Sequence, residues 1–313
     1  MPGRSTHYAS LTEEEAEHFL QHGWLKVPNA IDPRYVDAWV ADVWARTGYK
    51  ETDKTTWEYE YLHMPFHRQV RWEYFAPGAF KKIADICGGE ERIDPVRERS
   101  IGDNFVINFG TEARSQSARA TGEEKPPQEK RGWHCDNDWF RQFLDSSGTA
   151  LTVINCFTDI PDRGGVQAKK GDVFILHGLL PHSTSWNYLH YPRIITNVHI
   201  TLREPLDLHR SDGNYSLVEQ TILRGLGRDS IPEFKPTRDR MYWYPRNSPM
   251  KGKRIEGELR RMVEAAKAKG LDESAVDSIW LKGKEVQDEF DHVNGMLLPV
   301  NTVSGLETEQ HPI

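Results

Sequence analysis

Read from the N-terminus, apolar positions first recur at helical spacing. Thr12 followed by Glu15 forms a capping box, Leu11 can staple the helix start, and Ala16, Phe19 and Leu20 supply an apolar face before His22-Gly23. Trp24-Leu25-Lys26-Val27-Pro28 reads as a short strand closed by proline. Asp32-Pro33 opens a second helix as N-cap and first-turn proline, ending near Thr47-Gly48. Residues 50–75 are dense in aromatics (Trp57, Tyr59, Tyr61, Phe66, Trp72, Tyr74, Phe75), a composition that suits core packing or a pocket wall. Ser100 to Gly110 is strand-like in its β-branched and aromatic content, whereas 111–131 is polar and without period and predicts a long loop.

From Gly132-Trp133 the pattern is that of strands. Ala150–Ile160, Val173–His177, His182–Trp186 and Ile194–Leu202 are short apolar or alternating runs, with turns at Pro161 to Gly165 and at Gly171-Asp172. After residue 203 helix returns, most clearly over Arg254–Lys269, where Ile255, Leu259, Met262, Val263 and Ala266 share a face. The whole predicts a mainly β fold with flanking helices (α+β), a sandwich or barrel at its centre. We expect one domain over 1–313: a helical and aromatic part at 10–100, a β core at 100–203, helices at 204–295 and a loose tail at 296–313.

Composition narrows the function classes. With 37% hydrophobic and 28% charged residues, ten Trp, eleven Tyr and twelve Phe, the chain is aromatic enough to build a core. A net charge of −7 argues against a nucleic-acid binder, whose first signature is a basic face. No stretch approaches the ~20 apolar residues of a membrane span, and MPGRSTHYAS carries no apolar signal segment. Three cysteines without a CxxC pair make neither a disulfide framework nor a cysteine zinc site. A reducing, cytoplasmic setting is expected; the oligomeric state is left open.

The candidate chemistry lies in Trp-His134-Cys135-Asp136 and Leu-Leu-Pro-His182-Ser-Thr. In a strand, positions i and i+2 share a face, so His134 and Asp136 can grip one metal ion, and His182 completes a facial set of two imidazoles and one carboxylate. That set suits non-haem Fe(II) and leaves three positions open. With thirteen histidines a lone His-x-Asp arises by chance, so the weight falls on context: His182 follows an apolar strand across a tight turn, and Arg193 opens the next strand. His177 and His199, in strands on either side, are expected to be core or rim histidines, His63 and His67 are candidate pocket residues, and Cys135 should point away from its two neighbours.

Gly171-Asp172-Val-Phe-Ile-Leu-His177, then Pro181-His182-Ser-Thr-Ser-Trp-Asn187, then Pro192-Arg193-Ile resembles the phytanoyl-CoA dioxygenase family. Leu11-Thr-Glu-Glu-Glu with Gly23 to Pro28, and Trp133-His-Cys-Asp followed by Ala150–Ile160 and Gly164-Gly165, are similar to the same family. Arg193 to Pro205 with Tyr215 to Gln220 is similar to a fungal-type branch. The resemblance covers roughly 10–235. It implies a double-stranded β-helix (jelly-roll, cupin-like), Fe(II) and 2-oxoglutarate, and oxidation of a small organic substrate by O2 with decarboxylation of 2-oxoglutarate to succinate. It makes His134, Asp136 and His182 the iron ligands, has Arg193 pair with the distal carboxylate of 2-oxoglutarate, and gives Thr184 a supporting hydroxyl. In related halogenases a small residue replaces the carboxylate, so Asp136 favours hydroxylation, desaturation or a similar oxidation.

One departure stands out. The implied fold needs four strands between those of Asp136 and His182, and residues 137–181 hold only two good ones. Gly165 runs through Val-Gln-Ala-Lys-Lys directly into Gly171-Asp172, so we expect strands missing or shortened near 163–171 and an open barrel there. Two other classes therefore remain: a degenerate relative that only binds, and a metal-dependent hydrolase, since two His and one Asp also suit Zn2+.

Overall fold

A computed structural model describes residues 8–121, 132–136, 142–161, 166–238 and 249–293. The elements, in chain order, are α1 (Glu13–His22), β1 (Trp24–Val27), α2 (Pro33–Val40), α3 (Val43–Thr47), β2 (Tyr61–His63), β3 (Gln69–Arg71), α4 (Trp72–Phe75), α5 (Pro77–Cys87), β4 (Ser100–Gly102), β5 (Val106–Asn108), α6 (Glu112–Thr121), β6 (Leu151–Cys156), β7 (Val173–His177), β8 (Arg193–Ile200), α7 (Leu217–Gly225), α8 (Pro249–Ala268) and α9 (Lys284–Val293). No helix among the described residues is long and apolar enough to cross a membrane.

Local chemistry explains the first helices. Thr12 accepts from the Glu15 amide while the Glu15 side chain accepts from Thr12, and Gly23 ends α1 at φ 73°, which a side chain would strain. Asp32 caps α2 with Pro33 in its first turn. The predicted single helix breaks after Val40 and resumes as α3, closed by Gly48.

Six strands form one antiparallel sheet in the order β1-β7-β6-β8-β5-β2, and β3 pairs β4 apart from it. Because side chains alternate, each strand feeds two faces. Leu151, Val153, Phe157, Val173, Ile175, Ile194, Val198 and Ile200 belong to the main core, together with Phe19, Trp39, Trp72, Phe75, Ile83 and Ile86 from the helices. Phe157 stacks among Trp39, Phe75 and Phe105, so it is a core residue. The opposite face holds a smaller cluster of Cys156, Ile160, Ala168, Phe174 and Leu176, with Ile154, Leu180 and Ile195 half-buried beside it.

Among the described residues that second face carries two isolated bridges, His134 with His182 and Ile160 with Ala168. β6 and β7 run as direct neighbours into their connection, where Cys156 and Gly171–Asp172 exchange hydrogen bonds of 2.8 and 2.9 Å. Lys26, Asn29 and Lys169 donate to the Asp172 carboxylate and pin that turn. Of the expected gap near 163–171, residues 162–165 lie outside the described residues, and the described part carries the Ile160–Ala168 bridge. The fold is α+β, a six-stranded antiparallel sheet backed by helices.

Three further elements differ from expectation. The strand over Ser100–Gly110 splits into β4 and β5 because the Asp103 carboxylate accepts the amides of His67 and Arg68 instead of continuing a ladder. Residues 112–121 of the expected loop are helix α6. The expected strand His182–Trp186 keeps one bridge, at His182.

Candidate metal centre

His134 and His182 face each other in a reciprocal backbone pair, each amide donating to the other's carbonyl at 2.9 Å. Such a pair holds two side chains on one side, and the rings lie 4.5 Å apart between centroids. Gly178 helps to aim the turn that delivers His182: a Cβ there would collide with the Thr149 carbonyl, so only glycine lets β7 end so close to its neighbour. Asp136, two residues beyond His134, is 4% exposed and aims at the same point. Among the described residues, His134, Asp136 and His182 form a group whose ligand atoms all lie within 4.8 Å of one another. His134 Nε2 is 3.7 Å from Asp136 Oδ1 and His182 Nε2 is 3.7 Å from Oδ2.

The outer nitrogens turn to backbone carbonyls. His134 Nδ1 lies 2.8 Å from the Gly132 carbonyl and His182 Nδ1 lies 2.9 Å from the Leu180 carbonyl, so each Nδ1 donates and each Nε2 is the nitrogen turned towards Asp136. Two inward Nε2 atoms and one carboxylate make the donor set a metal ion needs. Burial alone would push the Asp136 carboxyl up, but His199 beside it, the Thr152 hydroxyl and His182 bring it down to about 2, and it is ionised.

Thr152 and His199 were not among the expected site residues. Thr152 Oγ1 donates to Asp136 Oδ2 at 2.5 Å, and His199 Nε2 is 3.6 Å from the same oxygen. His199, expected as a satisfied core or rim histidine, instead presents a buried Nε2 that has no hydrogen-bond partner among the described residues. The polar Thr152 among the apolar residues at the start of β6, and His199 near the end of β8, were the available signal. His177 does sit in the core: its Nδ1 accepts from the Leu179 amide and its Nε2 donates to the Val218 carbonyl.

Arg193 lies on the same face of β8 as His199 and is 6% exposed. Its Nη1 donates to Ser185 Oγ at 2.8 Å and its Nη2 to the Ser185 carbonyl at 3.0 Å. Thr184, the hydroxyl expected beside it, is exposed, and its neighbour Ser185 turns inward in its place. Between Arg193 and His199 on this face, Asn197 Oδ1 is buried without a partner among the described residues, as is Nδ2 of Asn108, opposite Arg193 on β5. These polar groups suit an anionic, oxygen-rich molecule lying along β8 towards the metal site.

Other expectations resolve simply. His67 is fully buried with its ring against Glu258 and Ser278, while His63 is exposed. Cys135 Sγ contacts the Leu179 carbonyl at 3.3 Å, away from its neighbours' shared point.

No family model and no curated protein matches the sequence. Among solved structures the fold is similar to the non-heme alpha ketoglutarate dependent epimerase SnoN from nogalamycin biosynthesis, at 15% identity over 60% of this chain and 82% of that one, TM-score 0.32. It is similar to the carbocyclase SnoK from nogalamycin biosynthesis at 14% identity, 64% and 87% coverage and TM-score 0.31. EvdO2 from Micromonospora carbonacea var. aurantiaca aligns at 12% identity, 65% and 96% coverage and TM-score 0.35.

Proposed function

We propose that the chain is a single-domain, Fe(II)- and 2-oxoglutarate-dependent oxygenase that oxidises a small organic substrate, akin to the phytanoyl-CoA dioxygenase family and its fungal-type branch. The observation that carries this reading is the convergence of two Nε2 atoms and one buried carboxylate within 4.8 Å of one another. His134, Asp136 and His182 would hold the metal, and three open positions remain for a chelating co-substrate and O2. Bound iron with 2-oxoglutarate and O2 supplies the oxidation, with 2-oxoglutarate leaving as succinate and CO2.

The chain's own residues do the rest. Arg193, buried and held planar by Ser185, offers a fork that matches a carboxylate. Asn108 Nδ2, on the same face as Arg193, is a ready donor for the same group. A hydrolase needs no such anchor beside its metal, which is why the oxygenase reading is preferred. The apolar Ile154, Phe174, Leu176 and Ile195 exclude water from the floor of the site.

The test is an anaerobic titration with Fe(II) and then 2-oxoglutarate, following the visible charge-transfer band of the chelate. Wild type is expected to develop the band. His182→Ala should lose it, and Arg193→Ala should need about 100-fold more 2-oxoglutarate to reach it, as a lost bidentate charge pair implies. A folded wild-type protein without the band would replace this reading with that of a protein that binds without turnover.

A further inference from the structure

The β6–β8 ladder sets Thr152 directly opposite His199. Both lie on the face turned towards the metal site, and cross-strand neighbours have Cβ atoms only about 5 Å apart, so their side chains can reach one atom together. That atom is Asp136 Oδ2, 2.5 Å from Thr152 Oγ1 and 3.6 Å from His199 Nε2. Oδ1 lies 3.7 Å from His134 Nε2 and Oδ2 lies 3.7 Å from His182 Nε2, so either oxygen could reach a metal held by the two rings.

We propose that Thr152 and His199 are positioning residues that clamp Asp136 Oδ2 with two donors, so that Asp136 meets the metal through Oδ1 alone. This rests on the reading of His134, Asp136 and His182 as metal ligands. The final torsion of an aspartate is broad and nearly two-fold, so an unheld carboxylate can turn and chelate through both oxygens. A chelating Asp136 would occupy a fourth position on a six-coordinate ion. Only two would remain, enough for the co-substrate and none for O2. A hydroxyl and an imidazole N–H on the two central strands of the sheet hold Oδ2 away from that role. The clamp also gives a use to His199 Nε2, which otherwise has no hydrogen-bond partner among the described residues.

The experiment uses the full chain and Co(II) under anaerobic conditions, reading metal affinity and the visible d–d spectrum, with the melting temperature of the metal-free protein recorded for each variant. Thr152→Val and His199→Leu are each expected to weaken Co(II) binding 10- to 100-fold, the range typical of lost outer contacts to a metal ligand. Their d–d bands should shift as coordination changes. Thr152→Ser and His199→Gln, which restore a donor near the same place, should recover affinity to within about threefold and restore the wild-type spectrum. A purely structural role would lower melting without this pattern of rescue. If wild type binds Co(II) and Thr152→Val and His199→Leu bind it equally well with unchanged spectra, the clamp is refuted while the metal site stands. If His199→Gln and His199→Leu both abolish binding and Thr152→Val does not, His199 is itself a ligand and the clamp is wrong. If folded wild type binds no Co(II), the metal reading fails and the clamp with it.

Discussion

At the scale of single residues, two histidines show how strand parity assigns roles. His177 ends β7 on the helix-facing side, in the same alternation as Val173 and Ile175, and its neutral ring is satisfied at both nitrogens. Burial pushes its pKa down to about 4, with the bond to the Val218 carbonyl only partly opposing. An unfolded histidine takes up its proton near pH 6.5 and the folded one only near 4, so the unfolded state binds more protons between those values. The stabilisation is therefore complete above about pH 6.5 and is lost as pH falls towards 4, by about 3 kcal/mol in all. Denaturant midpoints measured across that window should fall steeply for wild type. His177→Gln, which keeps a donor and cannot take up a proton, should flatten the fall, and an unchanged slope would show that His177 does not carry it. His199 has the other parity, shared with Arg193 and Asn197, and so faces the metal site. Residue type alone treats the two alike, because which face is which follows only from the register of β6, β7 and β8.

Elements were legible in the sequence where their signals are local. The capping box of α1 and the Asp32-Pro33 start of α2 depend on neighbours three residues away, and both form as read. α6 went unread because its mean composition is polar and it shows no apolar stripe, so periodicity had nothing to detect. The same local logic makes α7 testable. Ser216 and Glu219 form its capping box, and Glu219 is fully buried, accepting also from both Arg92 guanidinium nitrogens and from the Asp207 amide. Burial would raise the Glu219 carboxyl, yet the Arg92 partner and these bonds hold it below its ordinary value. Removing one partner of a buried, hydrogen-bonded pair costs about 3–5 kcal/mol, whereas losing an N-cap hydroxyl costs about 1. Glu219→Ala should therefore destabilise several times more than Ser216→Ala in equilibrium denaturation. Equal losses would mean that Glu219 acts as a cap alone and not as the joint between α7, Arg92 and the chain at Asp207.

At the scale of the molecule, the sheet separates a scaffold side from a chemical side, and the scaffold is locked by charge. Arg46, fully buried on α3, donates from Nε to Glu258 on α8 at 2.8 Å, from Nη1 to the Asp103 carbonyl and carboxylate at 3.1 Å, and from Nη2 to the Pro65 carbonyl at 2.5 Å. Arg68 also donates to Asp103, and His67 lies 3.2 Å from Glu258 and 2.8 Å from Ser278 Oγ. One guanidinium thus joins α3, the segment before β3, the turn between β4 and β5, and the C-terminal helices. Arg46→Met keeps most of the volume but leaves two buried carboxylates short of a cation, so it should cost about 3–5 kcal/mol. The proposed metal ligands stand on the sheet's other face, and their supports (Thr152, His199, and the Gly132 and Leu180 carbonyls) include nothing from this network. Co(II) affinity of the variant, measured well below its melting transition, should therefore stay within about twofold of wild type. A stability loss under 1 kcal/mol would deny Arg46 its locking role. A large stability loss with a matching drop in metal affinity would show that the two sides of the sheet are coupled, and that the chemical side relies on the locked one for its shape.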